Sequence, residues 1–191
     1  MALTLNGLKK LVEGAGLRYF VAPDRPVIML GAEGLNGRYQ FVISLEDEGK
    51  FLQFRTISYL HCPGDHPHLP EVLKVLGSVN YRTRLVKLGW DPNDGEIVGY
   101  ADIWLVDGAI TQDQFTRMLH NFIPAIDLSY PRLTQALEAG KDPGEVDPEE
   151  MMRRVLGGRG LPGPLRSLLE KLLGKKEPEG KEGKPPDFSS I

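Results

Sequence analysis

The sole cysteine and three of the four histidines of this chain fall in one tract, His61-Cys62-Pro63-Gly64-Asp65-His66-Pro67-His68. Imidazole and thiolate are good ligands for zinc or copper, and a bend at Pro63-Gly64 would draw His61, Cys62, His66 and His68 toward one point. Such a site could store metal, or hydrolyse a substrate at an open coordination position. Against it, structural zinc sites pair ligands from separated segments, and no second CxxC or HxxxH completes the set. The competing reading is a plain strand-to-helix connection, held extended by Pro67 and Pro70. A nucleophilic pair of Cys62 with His61 is disfavoured, because neighbours in an extended segment point to opposite sides.

Other clusters are weaker. Gly31, Gly34 and Gly37 resemble a phosphate cradle, but a strand follows them instead of the helix N-terminus that would hold the anion, so they read as turn residues. Asp91-Pro92-Asn93-Asp94-Gly95 resembles a calcium loop whose glycine comes one place early, and a hairpin turn explains it better. Asp102 lies between Tyr100 and Trp104 on one strand face, either marking a partner-binding surface or simply facing water. His120 falls off the apolar stripe of its helix and receives no role. No catalytic set emerges, so the expectation is a non-enzymatic protein without a cofactor.

The elements that carry these residues follow from apolar spacing. Leu5, Leu8, Val12 and Ala15 recur at helical intervals before Gly16. Four short runs follow, Leu17 to Val21, Val27 to Leu30, Arg38 to Leu45 and Lys50 to Tyr59, and these predict an antiparallel meander. In the third run Tyr39, Phe41, Ile43 and Leu45 share one face, which therefore needs a cover. Val72, Leu73, Leu76 and Val79 after Pro70 predict a covering helix that ends near Asn80. Tyr81 to Trp90 and Glu96 to Val106 predict a long hairpin. Thr111 and Gln114 then form a capping box for a helix that Pro124 should kink or end, with further helical turns to Gly140. The predicted fold is α+β, two layers with helices on one face of a mostly antiparallel sheet, in the order α-β4-α-β2-α.

From Lys141 the composition changes, giving a domain over 1–140 and a linker, short amphipathic helix and disordered tail over 141–191. In the tail Leu165, Leu168, Leu169, Leu172 and Leu173 share one helical face. Burying each leucine gains about 1.5 to 3 kcal/mol, while ordering ten residues costs about 1 to 2 kcal/mol apiece, so reversible docking is expected. Leu165, Leu168, Leu169 and Leu172 thus join Tyr100, Asp102 and Trp104 as expected partner-binding residues. Arg166, Lys171, Lys175 and Lys176 would also suit a membrane surface, which Glu170 and Glu177 disfavour. The formal charge of -3 offers nucleic acid no general attraction. One cysteine and no visible secretory signal lead to an expected cytoplasmic location.

Between Val79 and Leu137, Asn80 at a helix end, Trp90-Asp91 through Gly95-Glu96, Asp107-Gly108-Ala109-Ile110-Thr111, Leu119 through Asp127, and Tyr130-Pro131 occur in an order that resembles the YbjN family. Members of that family are grouped as bacterial sensory-transduction regulators and have a fold similar to type III secretion chaperones. The resemblance implies a non-enzymatic, often dimeric domain that binds another polypeptide or acts in regulation, and it implies no catalytic residues. The expected function is therefore a protein-binding adaptor or chaperone-like regulatory module. Its expected partners are a protein or peptide and a second copy, joined through a sheet edge or the hairpin. Metal binding by the His61–His68 loop is the alternative.

Overall fold

The computed structural model describes residues 2–23, 25–105 and 109–145. Among these, Leu5–Gly14 forms α1, Leu69–Arg82 α2 and Gln112–Ala139 α3. The strands are Tyr19–Val21 (β1), Val27–Glu33 (β2), Arg38–Glu46 (β3), Phe51–Ile57 (β4), Leu60–His61 (β5), Lys87–Trp90 (β6) and Glu96–Trp104 (β7). They form one antiparallel sheet in the order β1-β2-β3-β4-β7-β5, with β6 on the other side of β7. The architecture is α+β, as expected.

Alternation along the strands divides the sheet into two unlike faces. Ile28, Leu30, Tyr39, Phe41, Ile43, Phe54 and Ile97 are buried on the inner face, where the helices pack. Phe54 lies between Phe115 and Phe122 of α3, with ring centroids 5.7 Å from each, and Phe41 meets Phe122 at 5.5 Å. Gly99 lets α3 approach closely, since a Cβ there would stand 2.6 Å from a methyl of Ile126. Val72, Val75, Leu76 and Val79 of α2 and Leu8 and Val12 of α1 complete this core.

The element order departs from expectation in three places. The run Lys50 to Tyr59 is not a single strand ending at Tyr59. At Ser58 the backbone enters the left-handed region, φ 49, which turns Tyr59 into the core and leaves β5 as a separate strand along β7. Tyr81 and Arg82 belong to the last turn of α2 and not to a strand. Lys87 Nζ donates to the carbonyls of Asn80 and Thr83, supplying donors where the helix ends and has none. Finally, Pro124 does not end a helix: α3 runs from its capping box at Thr111 and Gln114 to a left-handed Gly140, with Pro124 and Pro131 inside.

Tertiary bonds explain how the second proline is accommodated. Pro131 lacks the N–H that would reach the carbonyl four residues earlier, that of Asp127, and this carbonyl instead accepts from Asn36 Nδ2 at 3.0 Å. The buried Asp127 carboxylate in turn accepts from the amides of Leu35 and Asn36, each at 2.9 Å, and from the Tyr39 hydroxyl at 2.8 Å. Gly34 is required beside it, because any Cβ would overlap the carboxylate. The turn with Gly34 and Gly37 does cradle an anion with its amides, but the anion is the protein's own. Burial, then the neighbouring Asp127, hold the Tyr39 phenol far above its ordinary pKa, so it stays a donor.

Beyond Gly140, the nearly buried Arg132 donates to both oxygens of Asp142, through Nε at 2.6 Å and Nη2 at 2.5 Å, and Arg82 pairs with Glu145. These contacts carry the packed chain to Glu145. No helix among the described residues is long and apolar enough to cross a membrane.

Replacing Asp127 by Ala strands two amides and a phenol in the core and is expected to cost about 3 to 5 kcal/mol in urea unfolding. Asp127→Asn should lose most of the same amount, since its amide turns a donor toward donors. A second effect depends on pH. Hydrogen bonding from Arg132 holds the Asp142 carboxyl below its usual pKa. A depressed folded pKa contributes stability above the unfolded value, about 3.9, and loses it as pH falls through the folded value. Asp142→Asn is therefore expected to cost about 1.5 to 3 kcal/mol at pH 7, a difference that closes as unfolding is measured at successively lower pH below about 4.

Candidate partner-binding surface

The outer face of the sheet carries no helix among the described residues. Its central strands are partly polar: Gln53 donates to Asp102 at 2.9 Å, and Arg55 pairs with Glu96 at 2.7 Å. Apolar groups crowd both ends. At one end Phe51 and Trp104 meet at 4.9 Å between centroids, with Trp104 66% exposed. At the other, Phe20 of β1 lies opposite Met29 of β2, 64% and 37% exposed. They flank an open groove of about 340 Å³ that Gly31, Gln40, Ile57 and Arg18 also line. Aromatic side chains that remain in water on a regular sheet mark an association surface more specifically than scattered exposed aliphatics do.

Alternation places Tyr100, Asp102 and Trp104 together on this outer face. Tyr100 is half-buried opposite Arg55 and Lys87, Asp102 lies opposite Gln53, and Trp104 lies opposite Phe51. Leu165, Leu168, Leu169 and Leu172 lie outside the described residues. Phe20, Met29 and Phe51 were not legible as surface groups. Val27-Ile28-Met29-Leu30 is an unbroken apolar run, so period-two reading cannot tell its wet side from its dry one.

The histidine-rich loop is spread over separate neighbours. His61 donates from Nε2 to the carbonyl of Asp94 at 2.7 Å, and His68 donates from Nδ1 to that of Leu137 at 2.9 Å, at the far end of α3. His66 Nδ1 accepts from the backbone amide of His68. Cys62 is buried in the core, its amide donating to Gly95 and its carbonyl accepting from the Trp90 indole at 2.8 Å. The loop thus clasps the β6–β7 turn, where Asp91 and Asp94 side chains accept from the amides of Asn93 and Glu96. Among the described residues no group of three or more His, Cys, Asp or Glu side chains is placed to hold a metal ion.

Burial pushes the Cys62 thiol pKa upward, and thiolate is the reactive form. Native protein at pH 7.5 or thereabouts is expected to leave Cys62 unmodified by a thiol reagent over the time in which urea-unfolded protein reacts at one equivalent. Rapid native modification would show that the loop opens.

The sequence profile of the YbjN family, described as "Putative bacterial sensory transduction regulator", matches residues 4–135. A search of curated protein sequences finds no match. Among solved structures, the chain is similar to YbjN from E. coli, with a TM-score of 0.52 at 16% identity over 69% of this chain and 89% of that one. It also matches the ExsC-ExsE complex, at a TM-score of 0.45, 18% identity and coverage of 70% and 97%. The ExoU-SpcU complex of the Pseudomonas aeruginosa type III secretion system follows at 0.43, 23%, 68% and 96%. With the profile spanning α1 through most of α3, the chain belongs to the YbjN family.

Proposed function

We propose that this protein is a non-enzymatic, cytoplasmic protein-binding adaptor, a chaperone-like regulatory module that holds another polypeptide on the outer face of its sheet. The uncovered face with exposed Phe20, Met29 and Trp104 carries the reading. An extended or helical peptide could lay apolar side chains into the two end patches, while Gln53, Asp102, Arg55 and Tyr100 between them supply polar contacts. The regulatory description of the family fits a domain that acts by association. The protein's own copies are proposed to pair through the edge strand β1, whose outer side has no strand partner among the described residues, whereas in β6 Asn80 takes the outward amide and carbonyl of Leu88.

Affinity capture from native lysate, read by mass spectrometry, tests the adaptor role. One partner is expected to be enriched by the wild-type chain and at least tenfold less by Phe20→Asp or Trp104→Asp, with unfolding midpoints unchanged. Capture of the same proteins by wild type and both variants would refute this use of the face. Light scattering on the same samples is expected to give twice the chain mass, and a monomer mass at high micromolar concentration would contradict the pairing.

A further inference from the structure

We propose that residues 164–173, Pro-Leu-Arg-Ser-Leu-Leu-Glu-Lys-Leu-Leu, seat in the groove between Phe20 and Met29 on the sheet of their own chain. The inference rests on the reading of the outer face as the protein-binding surface, because the segment then acts as a tethered competitor for that surface.

Three observations carry it. The groove is notched: Gly31 lies in its floor, and a Cβ built there comes no closer than 4.0 Å to any neighbour, the Tyr39 carbonyl oxygen. The space beside Phe20 and Met29 is therefore unfilled by the domain itself. The Phe51 and Trp104 rings at the opposite end, by contrast, are already in contact with each other. Second, the sequence supplies an occupant of matching chemistry, since Leu165, Leu168, Leu169, Leu172 and Leu173 share one helical face, with Arg166, Glu170 and Lys171 left for solvent.

Third, the tether fits. Arg82 at the end of α2 holds Glu145, and α2 packs on β6 through Asn80, which bonds both the amide and the carbonyl of Leu88. The tail thus departs at the β6 edge. From β6 to β2 there are four strand spacings of about 4.8 Å, roughly 19 Å, with about 10 Å more to pass from the helical layer to the outer face. Residues 146–163 reach about 60 Å when extended, and as a glycine-containing coil have a root-mean-square span of about 23 Å. A linker whose natural span is close to the required distance gives an effective concentration in the millimolar range. The nearer apolar stripe on α2, Leu73 and Tyr81 about Gly77, is convex and offers only two side chains.

The test uses the full chain. Because Cys62 is buried, Ser167→Cys can be labelled selectively with a nitroxide, and the Met29 methyl carbon serves as the reporter by NMR. The expected result is paramagnetic broadening of Met29 that is unchanged on tenfold dilution and abolished by Gly31→Lys, which fills the notch without displacing a neighbour. A sharp Met29 signal overturns the proposal. So does broadening seen only when labelled and reporter chains are different molecules, or broadening that survives Gly31→Lys. Partner capture on the same samples separates the two readings. Sharp Met29 with capture still lost in Phe20→Asp leaves the binding surface standing without the tail, whereas broadened Met29 with capture indifferent to Phe20→Asp supports the tail and removes the partner.

Discussion

The fold depends on one buried carboxylate. Asp127 stands where the longest helix must cross the sheet, and an uncompensated charge there would be prohibitive in a low-dielectric interior. Its compensation comes from the turn between β2 and β3, whose amides at Leu35 and Asn36 have no ladder partner of their own, and from the Tyr39 hydroxyl. Donors and acceptor therefore satisfy one another only when the hairpin and α3 are in register. The same contact holds α3 against the inner face, which strand alternation makes apolar and where Phe41, Phe54, Phe115 and Phe122 interlock.

With the three described helices committed to that side, the opposite face is left uncovered by the described residues. Nothing in the described chain needs to move to expose it, so association there requires no unfolding and little backbone rearrangement. A pre-formed surface suits the proposed role of holding another chain. The buried polar groups Asp127, Thr56 and Arg132 each have partners within the fold.

Much of the fold was legible because periodicity and capping act locally. The capping box at Thr111, the left-handed Gly140, the turn at Asp91 to Gly95 and the inward set Tyr39, Phe41, Ile43 and Leu45 are all written within a few residues of where they act. The errors arose where distant groups decide. Pro124 reads as a helix breaker, yet α3 runs on through it and through Pro131, where Asn36 takes the orphaned Asp127 carbonyl, and Ser58 gives no local sign of a break between β4 and β5. The candidate surface was half legible. Tyr100, Asp102 and Trp104 alternate with small or aliphatic residues and can be assigned to a face, whereas Phe20 and Met29 sit in runs that are apolar throughout. The histidine tract gathers in sequence what the backbone distributes among the Asp94 carbonyl, the core and the end of α3.

The bond from Asp127 to the Leu35 amide spans 92 residues of sequence. A ribosome adding about 5 to 20 residues per second exposes the β2–β3 turn some 5 to 18 seconds before the residue that satisfies it. During that interval the hairpin's inner face, with Phe41 and Ile43, lacks the longest helix of its cover, α3. The nascent protein is itself a client for protection until α3 emerges, and a reversible cover for apolar strand surface is the same service that its finished outer face is proposed to offer to others.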